Sequence, residues 1–257
     1  MPFHAQLIAL QTILIKETLR FLRIWIQTIL PPAVTTALYF IIFGKLIGAQ
    51  LGPVEGLSYT QFIAPGLIMM AVITNAYSNV VSSFFSAKFQ RHIEEMLVSP
   101  LPNFIIVLGF VGGGLARGLV VGLAVIITSL FFADLHWQHP FITFAVIVLT
   151  AVLFALAGLI NGIYAKSFDD ISVVPTFVLT PLIYLGGIFY SIQMLPPFWQ
   201  DVSRLNPILY MINAFRFGIL GVSDIDISLA FTIIGLFIAA LFGYSLWLLQ
   251  RGTGIRS

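Results

Sequence analysis

Six long apolar stretches, each separated from the next by a short polar interval, set the pattern of this chain. They run near Ile24–Ile47, Phe62–Phe85, Phe104–Phe132, Phe141–Tyr164, Ile171–Ile192 and Ile227–Leu249. A helix needs roughly 20 residues to cross about 30 Å of hydrocarbon, and every stretch is long enough. Pro31, Pro32, Pro65, Pro175 and Pro181 lie inside them and predict kinks, which membrane helices tolerate when neighbours satisfy the freed carbonyls. A seventh apolar run, Pro207–Leu220, is too short to cross comfortably. The region 193–222 around it predicts a re-entrant or interfacial hairpin on the outer side, with Trp199, Tyr190 and Tyr210 at interfacial depth. Residues 1–23 follow a different pattern. Leu7, Leu10, Leu14 and Phe21 share a broad apolar face while Lys16, Arg20 and Arg23 fall at i, i+4, i+7 on another, which predicts an amphipathic helix on the cytoplasmic leaflet. The expected fold class is therefore an all-α membrane protein: six transmembrane helices, an N-terminal amphipathic interfacial helix, and an outer re-entrant hairpin between spans five and six. It forms one domain over 1–257, with the interfacial helix at 1–23, the six-span body at 24–250, a cytoplasmic segment at 86–102 and the hairpin at 193–222.

Composition agrees with that reading. Hydrophobic residues make up 59% and charged residues 9% of the chain, against about 45–50% and about 25% in a soluble domain. The net charge of +2 with no basic run argues against nucleic acid as a partner, and the lack of cysteine excludes a disulfide framework or thiolate metal site. The N-terminus makes a poor signal peptide, because its basic residues come late and no small-residue cleavage site follows. The positive charges orient the spans. Six crossings put both termini and the loops after spans two and four on one side, with Lys16, Arg20, Arg23, Lys88, Arg91, Lys166, Arg251 and Arg256. Only Lys45, Arg204 and Arg216 lie near the other, while Arg117 is within a span. The excess of positive charge places both termini in the cytoplasm.

No enzyme chemistry is visible. The pair Gly44-Lys45 ends an apolar stretch and is followed by Leu, so it builds no phosphate-cradling loop. His4, His92, His136 and His139 include no H-E-x-x-H helix, and no Gly-x-Ser-x-Gly elbow occurs. No cofactor is expected in this chain.

Within the spans, Asn75, Asn79, Ser82 or Ser83, and Ser86 share one helix face. Polar groups facing lipid are expensive, so this stripe faces protein or a water-filled path; helix–helix hydrogen bonding and a substrate pathway are both open. Arg117 in span three needs a carboxylate, carbonyl or water as partner, or else snorkels to the cytoplasmic surface. It sits beside a small-residue stripe, Gly114, Gly118 and Gly122, and span four carries another, Ala151, Ala155, Gly158 and Gly162. Such stripes let backbones approach closely. Thr176, Thr180 and Tyr184 between two prolines of span five either line a path or back-bond to a kinked helix.

The charged residues crowd into one place. Lys88, Arg91, Glu94 and Glu95 fall within eight residues, ahead of Pro100 and Pro102. Arg91 and Glu95 at i, i+4, with Glu94 at i+3, predict ion pairs along a short helix, while Phe89, Ile93, Met96 and Leu97 form an apolar side turned to the membrane domain. A short, stiff rod with mixed charge suits docking another protein. The same stretch, from Arg91 through Glu95 to Met96-Leu97-Val98-Ser99-Pro100-Leu101, resembles the cytoplasmic motif R-x-x-x-E-x-L-L-V-S/T-P-L of the permease subunits of ABC-2 type exporters. It departs at Gln90-Arg91-His92, where many members have Glu-Arg-Gly. A second similarity lies in GGIFYSIQMLPPFW (Gly186–Trp199) followed by LNPILYMINAFR (Leu205–Arg216).

The resemblance implies a membrane subunit of an ATP-driven exporter in the bacterial inner membrane. Such a subunit pairs with a second copy of itself and with a separate ABC ATPase, which holds ATP and Mg. Phe89, Arg91, Glu94, Glu95 and Leu97 would be the coupling helix that contacts the ATPase. Residues 1–23 would be the interfacial elbow, and Pro196, Trp199, Asn206, Pro207, Tyr210 and Arg216 would belong to the outer hairpin. Asn75, Asn79, Arg117, Thr180 and Tyr184 are candidates for a pathway or an interface. The alternative is a self-sufficient channel or secondary transporter without an ATPase partner, built on Arg117 and the asparagine stripe. Asp and Glu are missing from the interior of every span, which weakens it.

Overall fold

The computed structural model describes residues 2–252 and Gly254. Helix α1 spans Phe3–Leu22. Helix α2, Trp25–Tyr39, widens into a π-helical stretch at Phe40–Ile47 and closes with α3, Gly48–Leu51. Then come α4 (Tyr59–Phe89), α5 (His92–Val98), α6 (Asn103–Leu130) and α7 (Pro140–Tyr164). A composite helix follows: α8 (Asp170–Val174), a π turn at Pro175–Leu179, and α9 (Thr180–Tyr184). The chain ends with α10 (Pro197–Arg204), α11 (Pro207–Leu220) and α12 (Ile227–Arg251). Among the described residues there is no strand, only one isolated bridge between Val54 and Leu57.

Helix α4 is the axis of the molecule. Its N-terminus is set by a capping box, in which the Ser58 hydroxyl accepts from Gln61 N and the Gln61 amide oxygen accepts from Ser58 N at 3.1 Å. Pro65 is absorbed near that end without breaking it, and burial continues from Tyr59 to Ala87. Helices α6 and α7 flank it, and the two small-residue stripes account for the close approach. A methyl group at Gly114 would meet Val80 Cγ2 at 2.5 Å and Ala155 Cβ at 2.9 Å; one at Gly158 would meet the carbonyl oxygen of Tyr77 at 2.5 Å. The stripes therefore serve helix packing, the role small residues take where lipid gives no hydrophobic drive to association.

Helix α1 docks lengthwise on the bundle. Ile13 packs on Gly109 and Glu17 on Gly113 of α6, while Arg20 reaches Asn79 of α4. Its opposite side exposes Ile8, Ile15, Leu19 and Leu22. The end of the bundle that carries α5, the start of α6, the α7–α8 turn and the C-terminus of α12 is called basal below. Its core holds Phe84, Ile93, Phe110, Leu159, Ile163 and Leu248.

Among the described residues, five helices are long and apolar enough to cross a membrane: Trp25–Gln50, α4, α6, α7 and α12. The expected fifth span is not among them. Helix persists only over Asp170–Tyr184, about 22 Å at 1.5 Å per residue. Gly186 and Gly187 follow, with Gly187 at φ +80, and an irregular stretch leads to a short 3-10 turn at Ile192–Met194. The stretch nevertheless changes ends: its start is tied to the basal α7–α8 turn through Lys166 N and Ser167 N donating to Asp170, and its finish is tied to Asp224 ahead of α12.

Candidate functional site

The basal projection is built from the end of α4. Lys88 donates to the carbonyls of Ile163 and Ala165, each at 2.6 Å, which pins α4 to the end of α7. The chain then turns sharply at Arg91, whose φ of +64 places it in the left-handed region. That corner corrects the expected pairing. Arg91 is the N-cap of α5 and not a member of it, so the i, i+4 relation to Glu95 does not hold, and among the described residues no ion pair joins it to Glu94 or Glu95. Ile93 is buried in the basal core, with Met96 and Leu97 half-buried beside it. Arg91, His92, Glu95 and Val98 are exposed, and Glu94 is half-buried. Phe89 is 66% exposed, although it meets Phe85 and Phe168 in an aromatic trio. Phe168, from the α7–α8 turn, was not singled out in the sequence; only its place as a lone aromatic in a polar basal loop points to it. Beside it, backbone N–H groups of Lys166 and Ser167 hold the Asp170 carboxyl below the ordinary carboxylate range.

Three members of the polar stripe of α4, Asn75, Asn79 and Ser83, meet side chains from α1 and α6. Ser83 donates to Glu17 Oε1 at 2.7 Å, Arg20 Nη2 donates to the Asn79 side chain at 2.8 Å and to its carbonyl at 2.9 Å, and Arg117 Nη2 donates to Asn75 Oδ1 at 3.2 Å. Arg20 Nε and Glu17 Oε2 lie 3.4 Å apart as an ion pair without the alignment of a hydrogen bond. Arg20 and Arg117 are near enough to repel, so the fully buried Glu17 carboxylate is the counter-charge of the cluster. Of the two readings of Arg117, the partner is an amide. Glu17 was missed by the sequence reading; its signal is a lone acid in an apolar helix, three residues before an arginine.

Thr180 and Tyr184 stand apart from this cluster. Thr180 is exposed and its hydroxyl back-bonds at 2.8 Å to Pro175 O, the carbonyl that also accepts the Thr180 N–H across the π turn. Tyr184 meets Tyr39 of α2 at 2.8 Å, hydroxyl to hydroxyl.

The opposite, apical end holds the residues expected in the hairpin. Pro196 and Trp199 open α10 and are exposed. Asn206 caps α11 through Ile208 N at 3.0 Å and donates to Leu182 O at 2.6 Å, with Pro207 as first helical residue. Tyr210 donates to Arg204 O at 2.8 Å. Arg216 is 1% exposed: its guanidinium lies 4.0 Å from the centre of the Phe62 ring and donates to Gly187 O at 2.6 Å. Asp224 accepts from Ser191 Oγ at 2.6 Å and Ile192 N at 3.1 Å, so the two feet of the 193–222 segment are tied together. In the turn before α4, burial first, and the neighbouring Asp224 carboxylate second, push Glu55 above the ordinary carboxylate range.

Comparison with known proteins decides the family. The model of the ABC-2 type transporter matches residues 8–220. This chain belongs to the ABC-2 type transporter membrane family. Within the reach of that assignment, the chain is 58% identical over 254 residues to the inner membrane transport permease YadH of Escherichia coli K12, covering 99% of each. It is 29% identical over 215 residues to nodulation protein J of Neorhizobium galegae, covering 83% of this chain and 82% of that protein. The ABC-2 match ends with α11 at Leu220 and so includes α5, the α1–α4–α6 cluster and Arg216.

Proposed function

We propose that this chain is the membrane-spanning permease subunit of an ATP-driven exporter of the bacterial inner membrane. The basal end faces the cytoplasm, and α5 receives the stroke of a separate ABC ATPase that holds ATP and Mg. One observation carries the reading: a short helix anchored in the core by Ile93 while Phe89, Arg91, Glu95 and Val98 stand out at its surface. An anchored helix with an exposed apolar and charged face transmits force to whatever packs beneath it, here the ends of α4 and α6. Contacts with the partner fall to Phe89, Arg91, Glu94, Glu95 and Leu97, with Phe168 alongside. The orientation rests on the positive charges, of which Arg256 lies outside the described residues.

Six crossings follow from the same frame. The stretch 170–192 changes ends, and the feet of 193–222 return to one side through Asp224, which favours a re-entrant hairpin and an irregular fifth crossing shielded by protein. The elbow, α1, stands at the inner interface against the emerging ends of α4 and α6. A second copy of the chain suits the flank where α2 and α9 meet through Tyr39 and Tyr184. Leu30, Val34, Leu38, Phe177 and Val178 are all exposed there. A self-sufficient channel is disfavoured, because the side-chain oxygens of Asn75 and Asn79 are engaged by Arg117 and Arg20 across helix seams.

The test is purification in mild detergent from native membranes. A soluble P-loop ATPase in about equal amount is expected, and replacing Arg91, Glu94 and Glu95 together by Ala should release it while thermal unfolding of the chain stays the same. Assembly and ATP-dependent export that survive the triple replacement would refute the assignment of α5.

A further inference from the structure

Between α1 and the basal end of α4 lies a cleft of about 220 Å³, lined by Lys16, Arg20, Ser83, Ser86, Gln90 and His92. It is roughly seven water volumes at about 30 Å³ each, room for a tetrahedral oxyanion and the first atoms of its ester. The lining is cationic and rich in donors. Arg20 donates Nη2 to Asn79 and turns its buried Nε to Glu17 at 3.4 Å, while its side chain stays 33% exposed at the cleft. The Lys16, Ser86 and His92 side chains have no hydrogen-bond partner among the described residues. Glu17 is buried outside the lining, where it pairs with Arg20 Nε at 3.4 Å and accepts from Ser83. Counting Lys16 and Arg20 against Glu17, the cleft keeps an excess positive charge.

Depth points to the source of the anion. Helix α4, with 31 residues, is roughly 46 Å long and exceeds the hydrocarbon by roughly 16 Å. Ser83 and Ser86 lie within about 9 Å of its basal end, at headgroup level. The apolar stripe of α1, Ile15, Leu19 and Leu22, is exposed on the side away from the bundle, a surface on which acyl chains can lie.

We propose that this cleft binds the phosphate of an anionic phospholipid of the leaflet at the basal end. The headgroup would bridge Lys16 and Arg20 of α1 to Ser86 of α4 and to the Gln90–His92 corner that leads into α5. Lipid occupancy would thus join the elbow to the force-bearing segment. The proposal rests on the membrane placement given above, but lipid retention is read without any ATPase, so its failure leaves the exporter reading standing, and the converse holds.

The full chain is reconstituted in phosphatidylcholine vesicles containing phosphatidylglycerol as a minor component, then transferred to a mass spectrometer under native conditions. Wild type is expected to retain phosphatidylglycerol preferentially. Lys16→Glu should reduce that retention roughly tenfold, through loss of a direct charge-assisted contact to the phosphate. Arg23→Glu, exposed on the same helix but outside the cleft, should leave it unchanged. Equal loss in both variants, or none in Lys16→Glu, would overturn the site. Thermal protection of the delipidated chain by inorganic phosphate, with no lipid retained, would overturn the lipid as source.

Discussion

Replacing Glu17 by glutamine removes one charge and almost no volume. The hydrogen bond from Ser83 survives on the amide oxygen, so the change isolates the electrostatic role of the carboxylate. In the docked state Arg20 would then be held beside Arg117 with no counter-charge. Removing one partner of a fully buried ion pair costs about 3–5 kcal/mol. Arg20 keeps its two bonds to Asn79 and its side chain is 33% exposed, so a cost of about 2 kcal/mol is the reasoned figure. Undocked, α1 loses nothing by the change, because Arg20 is solvated there. The population of undocked α1 should therefore rise roughly 30-fold, at 1.36 kcal/mol per decade.

The chain contains no cysteine, which makes the assay clean. Ile13 is buried against Gly109, so Ile13→Cys reports exposure of the docked face through its rate of maleimide labelling. At low reagent, reclosing outruns alkylation and the rate follows the open population. Adding Arg20→Gln to Glu17→Gln should recover part of the loss, because the stranded cation is gone; the two effects should be strongly non-additive. A labelling rate changed less than twofold by Glu17→Gln, or strict additivity in the double variant, would refute the view that Glu17 neutralises this cluster.

Gly158→Ala should lower the unfolding temperature in detergent by an amount equivalent to about 1–3 kcal/mol, since the new methyl meets the Tyr77 backbone and neither helix can yield locally. Gly235→Ala on α12, where a methyl meets nothing within 4 Å, should be neutral or stabilising in the same measurement. Glu55 makes the apical turn acid-favoured. Its carboxyl is raised in the folded state, so its contribution is full below the ordinary carboxylate range and is lost as pH rises through the raised value. Protease nicking of the 54–57 turn should increase as pH rises above the ordinary carboxylate range, and Glu55→Gln should flatten that dependence. Arg91→Gly relieves a left-handed corner worth about 1 kcal/mol while deleting the charge. The chain should hold its stability and lose ATPase capture as Arg91→Gln does, whereas normal capture by Arg91→Gly would mean the residue only shapes the turn.

The long helices and their packing stripes were legible because one strong signal governs each. Hydropathy over some 25 residues fixes α4, α6, α7 and α12, and small residues at a spacing of four mark where they touch. The asparagine stripe was legible as a face but not in its use, since a helix wheel shows what points together and not what meets it. Its partners include Glu17 and Arg20, some 60 residues away, and α1 is admitted by Gly109 against Ile13 and Gly113 against Glu17, on a different face of α6 from the Gly114–Gly118–Gly122 stripe. The break in the fifth apolar stretch was hidden for the opposite reason. Hydropathy continues through Gly186 and Gly187, but a helix weakened by Pro175 and Pro181 has no propensity left to carry it past two glycines, and Arg216 and Asn206 collect the carbonyls it leaves free. At Arg91 the i, i+4 arithmetic assumed a continuous helix, and a single left-handed residue removed it. The polar groups a sequence cannot assign are the ones this molecule uses to close its seams: Arg216 where the irregular stretch after α9 meets α11, Lys88 where α4 meets α7, and Glu17 where α1 meets α4 and α6. Each compensates for a place where backbone or charge would otherwise be stranded away from water. A seam held by one buried polar contact is also where a membrane bundle can hinge, and two of these three lie within reach of α5.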